Sequence, residues 1–326
     1  PLRRICPRFP YEGGGFPFGG SAPPMDKGLA ALYTDFMQRV FEKLFRLCMG
    51  LFTSIGVLAL GFVLYFILRE ALPLFAQVSV KDFLFGTRWM PIAYVGEPSY
   101  GIFHFILGTL YVSFLAMVFA SAVGIGAALF LACMASEKAR SWLYPCIDLL
   151  AGIPSVIYGF IGLAVLVPLF RKVGVQTGSC ILAAALLLSV MLLPYLISSC
   201  SETLRKARER YLPASDAMGV SSWYGIAHVV LPAARGNLVL SMILAIGRAM
   251  GETMAVMMVM GNANLFPRLL GKGETIASLI ALEMGTAEAG SLHYRGLYAA
   301  GLVLLVLLLC VNGLMALLRR RLIREV

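Results

Sequence analysis

Arg248 and Glu252 stand four residues apart in the stretch GRAMGETMAV (residues 247–256), inside a run otherwise apolar enough to lie in a lipid bilayer. A charged side chain near the middle of a membrane helix costs about 2.5 to 3.5 kcal/mol on insertion scales. Pairing at i, i+4 on one helix recovers only about 0.2 to 0.5 kcal/mol, and Arg before Glu is the weaker order. In low dielectric the attraction grows, but it mainly offsets desolvation. Stability is therefore a poor reason for the pair, and an intramembrane ionisable residue points to a functional site. A guanidinium presents a planar fork of donors matched to the oxygens of an anion. Arg248 is accordingly the candidate cation for a crossing anion, and Glu252 the carboxylate that holds it when the path is empty. The competing explanation is an interhelical polar clamp with no part in selectivity. Gly247 and Gly251 form a GxxxG pair on the neighbouring face, which admits another helix closely and turns the charged strip toward a bundle interior.

The elements that must hold these residues follow from composition. The 326 residues are 60% apolar and 13% charged, with a mean hydropathy of +0.84, which describes an all-α polytopic membrane protein. A span needs roughly 20 apolar residues in helical form. Six segments qualify, near 47–68, 103–134, 148–170, 180–198, 238–260 and 297–318. The formal charge of +10 sits in short clusters beside these runs, where it sets topology, and no nucleic-acid motif accompanies it. Lys and Arg in 1–46, 135–147, 199–237 and 319–326 outnumber those in the alternate segments more than twofold. That bias predicts both termini in the cytoplasm. Arg171 and Lys172 go against it locally.

The expected organisation is a cytoplasmic segment 1–46, a first span 47–68, an external loop 69–102, a five-span core 103–318 containing a cytoplasmic loop 199–237, and a basic tail 319–326. Residues 1–24, crowded with Gly and Pro, read as disordered or not natively translated. Seven scattered cysteines without CxxC spacing suggest neither a disulfide framework nor a zinc site. His104, His228 and His293 lack ligand spacing, so no metal site is expected. Trp89, Trp142 and Trp223 fall at span ends, as interfacial anchors do. Gly152-Ile153-Pro154-Ser155 interrupts the third span. A broken helix there offers N–H groups to an anion, which makes Ser155 a weak path candidate against the simpler reading of a bend.

Within the loop, YLPASDAMGVSSWYGIAHVVLP (residues 211–232) reads as helix, turn, helix. Pro213 suits the first turn of one helix and Gly219 its left-handed end. Ser221 or Ser222 caps the next helix, which is expected to stop at Pro232. The spacing of Ala214 and Gly219 with Leu231-Pro232 resembles the coupling motif of ABC-transporter permeases, with Ser215 where a second alanine is usual and Pro213 where a glutamate is usual. The segments YGIFHFILGTLYVSFLAM (100–117), DLLAGIPSVIYGFIGLAVLVP (148–168) and GRAMGETMAVMMVMGN (247–262), with 275–296 and the last span, look like successive landmarks of the phosphate-specific permeases, C-type subunit.

That resemblance implies the type I importer (MetI-like) permease fold and a coupling role for Ala214, Ser215, Gly219, Leu231 and Pro232. It implies phosphate passage at Arg248 and Glu252, and residence in the cell inner membrane. The partners it implies are a second, A-type permease, an ATPase dimer and an external phosphate-binding protein, with a phosphate-responsive sensor kinase system as a further associate. The chain lacks a GxxxxGK[ST] loop, since Lys272 in LLGKGET is followed by Gly273. No catalysis and no bound cofactor are expected of it, and ATP and Mg belong to the partner ATPase. A permease for sulfate or molybdate on the same scaffold and a carrier working alone are the rival readings.

Overall fold

The computed structural model describes residues 27–92 and 97–324; the expectation for residues 1–24 lies outside them. Among the described residues six helices are long and apolar enough to cross a membrane: Arg39–Ala76, Phe103–Met134, Ser155–Lys172, Ile181–Ala217, Ser222–Met250 and Leu292–Leu317. The number agrees with the sequence expectation, but several boundaries shift: the first span is longer at both ends than 47–68, the third begins at Ser155 instead of 148, and the fourth runs on to Ala217 instead of ending at 198. The fifth span begins some 16 residues earlier than 238 and stops at Met250 instead of running to 260, because the chain leaves the helix at Gly251.

The chain divides into two units, residues 1–63 and 64–326. The described part of the first is helical, within α1 (Lys27–Ala71). From Val40 to Val63 most of its large apolar side chains are exposed on the isolated chain, Leu60 being 74% exposed. An apolar surface of that extent is stable against lipid or another protein, not against water.

The second unit carries the rest. A 3-10 turn (Leu72–Ala76), α2 (Val80–Phe85) and a short antiparallel pair, β1 (Trp89–Met90) and β2 (Ser99–Tyr100), lead into α3 (Phe103–Leu129). Next come α4 (Glu137–Ala151), α5 (Ser155–Ile161), α6 (Val167–Lys172) and α7 (Ile181–Ala217). They are followed by α8 (Ser222–Gly225), α9 (Leu231–Met250), α10 (Met254–Met260), α11 (Ile276–Glu283) and α12 (Leu292–Arg324). Widened π turns at Phe130–Met134, Gly162–Leu166 and Ile226–Val230 join neighbouring helices.

Helix α7 is the spine. Small residues on α3 let it lie close: an added Cβ at Gly124 would meet Leu196 Cβ at 3.2 Å. Ala116, Ala120, Ala184, Leu188, Leu192, Ala245 and Ala249 complete the core shared by α3, α7 and α9. Alanine and glycine suit such an interface because lipid and Leu are equally apolar, so helices associate in a membrane through close backbone packing.

At the Trp89 end, Trp89, Tyr100, Phe105 and Leu297 form a second core. Trp89 is buried there, its Nε1 donating to Glu283 Oε2 at 2.9 Å, and it is no interfacial anchor as its position beside a span suggests. The β1–β2 pairing folds the indole back over the helix ends. Trp142 and Trp223 are exposed.

Candidate functional site

Two helix breaks meet around Arg248. Pro154 has no N–H to continue α4, so the backbone turns extended there (φ −58, ψ 141) and α5 restarts at Ser155. The Tyr158 hydroxyl spans the gap, donating to Leu150 O at 2.9 Å. The second break lies at Gly251-Glu252-Thr253, between α9 and α10. Helix α10 then packs on α5 at Gly159, where an added Cβ would lie 2.6 Å from Met258 Sδ and 3.1 Å from Ala255 Cα. A small cavity of about 30 Å³ remains beside the breaks, lined by Leu150, Ala151, Ile153, Ser155, Tyr158, Met191, Pro194, Tyr195 and Arg248. It has room for a water, which needs roughly 10–15 Å³. The weaker candidate, Ser155, thus shares a wall with the stronger one, Arg248.

Arg248 and Glu252 do not sit on one helix. The helix ends at Met250, so the i, i+4 geometry assumed from their spacing is absent, and no ion pair joins them among the described residues. Glu252 instead turns toward the next helix, its Oε1 accepting from Ala255 N at 3.3 Å. An acidic acceptor at a helix start is favoured by the free N–H groups and the dipole there. Arg248 is exposed on the isolated chain, one side facing the cavity. Gly247 faces Asn312 of α12 at ordinary contact distance, 3.5 Å from an added Cβ, whereas Gly251 would meet only carbonyls of its own helix end. The two glycines therefore form no common packing face within the chain: Gly251 makes the break.

Residues 199–237, expected as a loop, are almost entirely helical. Pro213 lies inside α7 and starts no new helix. The left-handed turn expected at Gly219 is present (φ +75), and Ser221 Oγ accepts from Tyr224 N at 3.4 Å as the cap. Ser222 Oγ instead donates to Asp216 Oδ1 at 3.3 Å. Nor does Pro232 end the second helix: it sits in the first turn of α9, directly after the π turn 226–230. The wider turn brings the chain to Pro232 without its missing N–H. Ser215 is buried against Gly225, whose added Cβ would lie 2.8 Å from Ser215 Oγ, and it positions the hairpin instead of facing outward. Ala214 is exposed on this end, together with Met218, Trp223 and Tyr224.

Tyr158, Met191, Pro194 and Tyr195 escaped the sequence reading. Nothing but Pro194 beside Tyr195, a proline next to a polar aromatic within a span, marked that wall in advance. The far end of the bundle carries a second polar cluster that was also missed. Glu283 Oε2 takes both the Trp89 indole and His293 Nε2 (2.7 Å), and Asn264 Nδ2 donates to Trp89 O at 2.8 Å. Burial, with Glu283 nearby, pushes the Glu274 carboxyl up to about 7.

Residues 124–324 match the family of binding-protein-dependent transport system inner membrane components. The chain belongs to that family. It is 38% identical over 234 residues to the probable ABC transporter permease protein YqgH of Bacillus subtilis (strain 168), covering 71% of this chain and 74% of that one. It is 33% identical over 294 residues to the phosphate transport system permease protein PstC of Xylella fastidiosa (strain Temecula1), covering 82% and 89%. A bacterial ABC transporter involved in the import of the acidic polysaccharide alginate has the same fold, with a TM-score of 0.56 and 15% identity over 87% of this chain and 99% of that one. The fold is that of type I importer permeases. A permease of this family is not itself the ATPase; it works with a partner permease, a separate ATPase and a substrate-binding protein.

Proposed function

We propose that this permease is the C-type subunit of an ATP-driven phosphate importer in the cell inner membrane, both termini cytoplasmic, sharing a translocation path with an A-type permease. An ATPase dimer docks at the end carrying Ala214, Met218 and Trp223, and an external phosphate-binding protein delivers substrate at the Trp89 end. The observation that carries the reading is the meeting of two broken helices on the cavity walled by Arg248, Tyr195 and Ser155. Broken spans recur where a membrane protein binds an anion, because they free backbone donors at depth. The names of several relatives, permeases of phosphate transport systems, support phosphate as that anion.

The exposed face of Arg248 then meets the shared path. Closure of the ATPases pushes on the hairpin around Gly219, and α7 and α9, both continuous with it, carry the movement to the breaks. Glu252, at the break four residues on, is the carboxylate that leaves its bond to Ala255 N and takes over from the substrate when the path empties. The test is uptake of labelled phosphate and labelled sulfate into vesicles containing the purified complex with ATP inside. Phosphate uptake that needs ATP and is not matched by sulfate supports the reading. Preferred sulfate uptake would reassign the substrate, and transport without an ATPase would reassign the class.

A further inference from the structure

A cleft of about 630 Å³ opens between the α6–α7 connection and residues 261–275, separate from the cavity at Arg248. Its walls are mostly apolar, with Phe170, Leu182 and Leu270 the larger faces, and polar side chains at Gln176, Thr177, Ser179 and Lys272. Among the described residues Lys272 is the one charged residue in the lining, and no carboxylate contributes. The lysine stem is held in place. An added Cβ at Gly261 would lie 2.9 Å from Lys272 Cγ and 3.1 Å from Ser179 Cβ, and Gly261 itself needs its positive φ of +95. The strand of chain beside it is tied to α7 by Ile181 N to Gly271 O and Leu182 N to Leu269 O, both 3.0 Å. Among the described residues no carboxylate pairs with the Lys272 ammonium.

The surroundings repeat the pattern. Arg171, Lys172 and Arg268 are exposed nearby in sequence, and so are Val173 (76%) and Leu265 (58%). The cleft lies where one span ends at Lys172 and the next begins at Ile181, the level of a bilayer's polar boundary. Basic residues at this end run against the topological charge bias of the rest of the chain, which points to a use for them here. A free, hydrated oxyanion gains nothing from apolar walls and requires several converging donors. An amphiphile uses both halves of the cleft. We propose that it binds an anionic phospholipid, the phosphate paired with Lys272 and an acyl chain lying along Phe170, Leu182 and Leu270. This site is independent of the transported substrate.

The test is native mass spectrometry of the full chain released from nanodiscs of mixed phosphatidylcholine and phosphatidylglycerol. The expected result is selective retention of phosphatidylglycerol, reduced about fivefold by Lys272→Gln, the effect of one interfacial lysine on an anionic lipid. Lys272→Arg keeps the lipid, and Lys138→Gln, exposed on α4, leaves retention unchanged. Thr177→Trp fills the cleft without altering charge and displaces the lipid, so it decides the matter if Lys272→Gln fails to fold. Equal retention of the two lipids, indifference to Lys272→Gln and Thr177→Trp, or an equal effect of Lys138→Gln overturns the proposal. Displacement of the lipid by millimolar inorganic phosphate also overturns it and makes the cleft a free-anion site. Uptake is not the readout, so failure here leaves the phosphate-import reading standing.

Discussion

At the scale of single residues, Arg248 and Glu252 make separable claims. Arg248→Gln is expected to leave the complex assembled, since the guanidinium is exposed and makes no ion pair among the described residues. Phosphate uptake should be abolished, and normal uptake by purified complex in vesicles would remove Arg248 from the path. Glu252 is more ambiguous chemically, because its carboxylate already accepts from Ala255 N. Glu252→Gln keeps an acceptor oxygen for that bond, whereas Glu252→Ala loses it at a cost of about 1 kcal/mol, the usual value of a helix-start acceptor. If capping is the residue's whole role, Gln transports normally and Ala lowers thermal stability. If the charge takes part in the cycle, Gln is stable and slow. Uptake and melting temperature measured on both variants separate the two roles, and the expected result is a stable, slow Gln variant.

At the scale of elements, the breaks and the hairpin are held by glycines for different reasons. Gly219 has open space around its Cβ position but a φ of +75. Gly219→Ala therefore costs only left-handed strain, about 1 to 2 kcal/mol, and it should appear as faster hydrogen exchange at residues 215–225. Gly159 has an ordinary backbone but no room, with Ala255 Cα at 3.1 Å from an added Cβ. Gly159→Ala must push α10 away from α5, with an overpacking cost of about 1 to 3 kcal/mol. Because α10 is attached through Glu252 to the Arg248 break, this variant is expected to lose uptake while keeping its partners in co-purification. Full uptake would show that the α5–α10 contact does not set the geometry around Arg248.

At the scale of the whole molecule, the buried Glu274 links stability to pH. Its carboxyl, raised to about 7 by burial and then by Glu283, holds a proton in the folded chain that an unfolded carboxyl releases near about 4.3. The folded state binds more protons across that window, so stability is greatest below it and falls as pH rises toward 7. Melting temperatures of the purified chain at intervals from acid to neutral pH should show this decline, and Glu274→Gln should flatten it. A decline of equal size in the variant would place the titrating group elsewhere. The membrane class, the number of spans and the position of the Gly219 turn were legible in the sequence. Each depends on local chemistry, whether apolar run length, charge clusters or a backbone angle that glycine alone tolerates. The separation of Arg248 from Glu252 was not legible, because spacing implies contact only on an unbroken helix, and nothing local announced that Gly251 ends this one. The same limit hid the continuation of α7 through Pro213 and of α9 through Pro232, where packing and a widened turn outweigh the local cost of proline. Sequence alone thus determined which residues are too costly to bury without purpose. The tertiary structure alone decided which of them meet, since the wall around Arg248 is assembled from three segments roughly 40 to 100 residues apart whose convergence is fixed by helix packing.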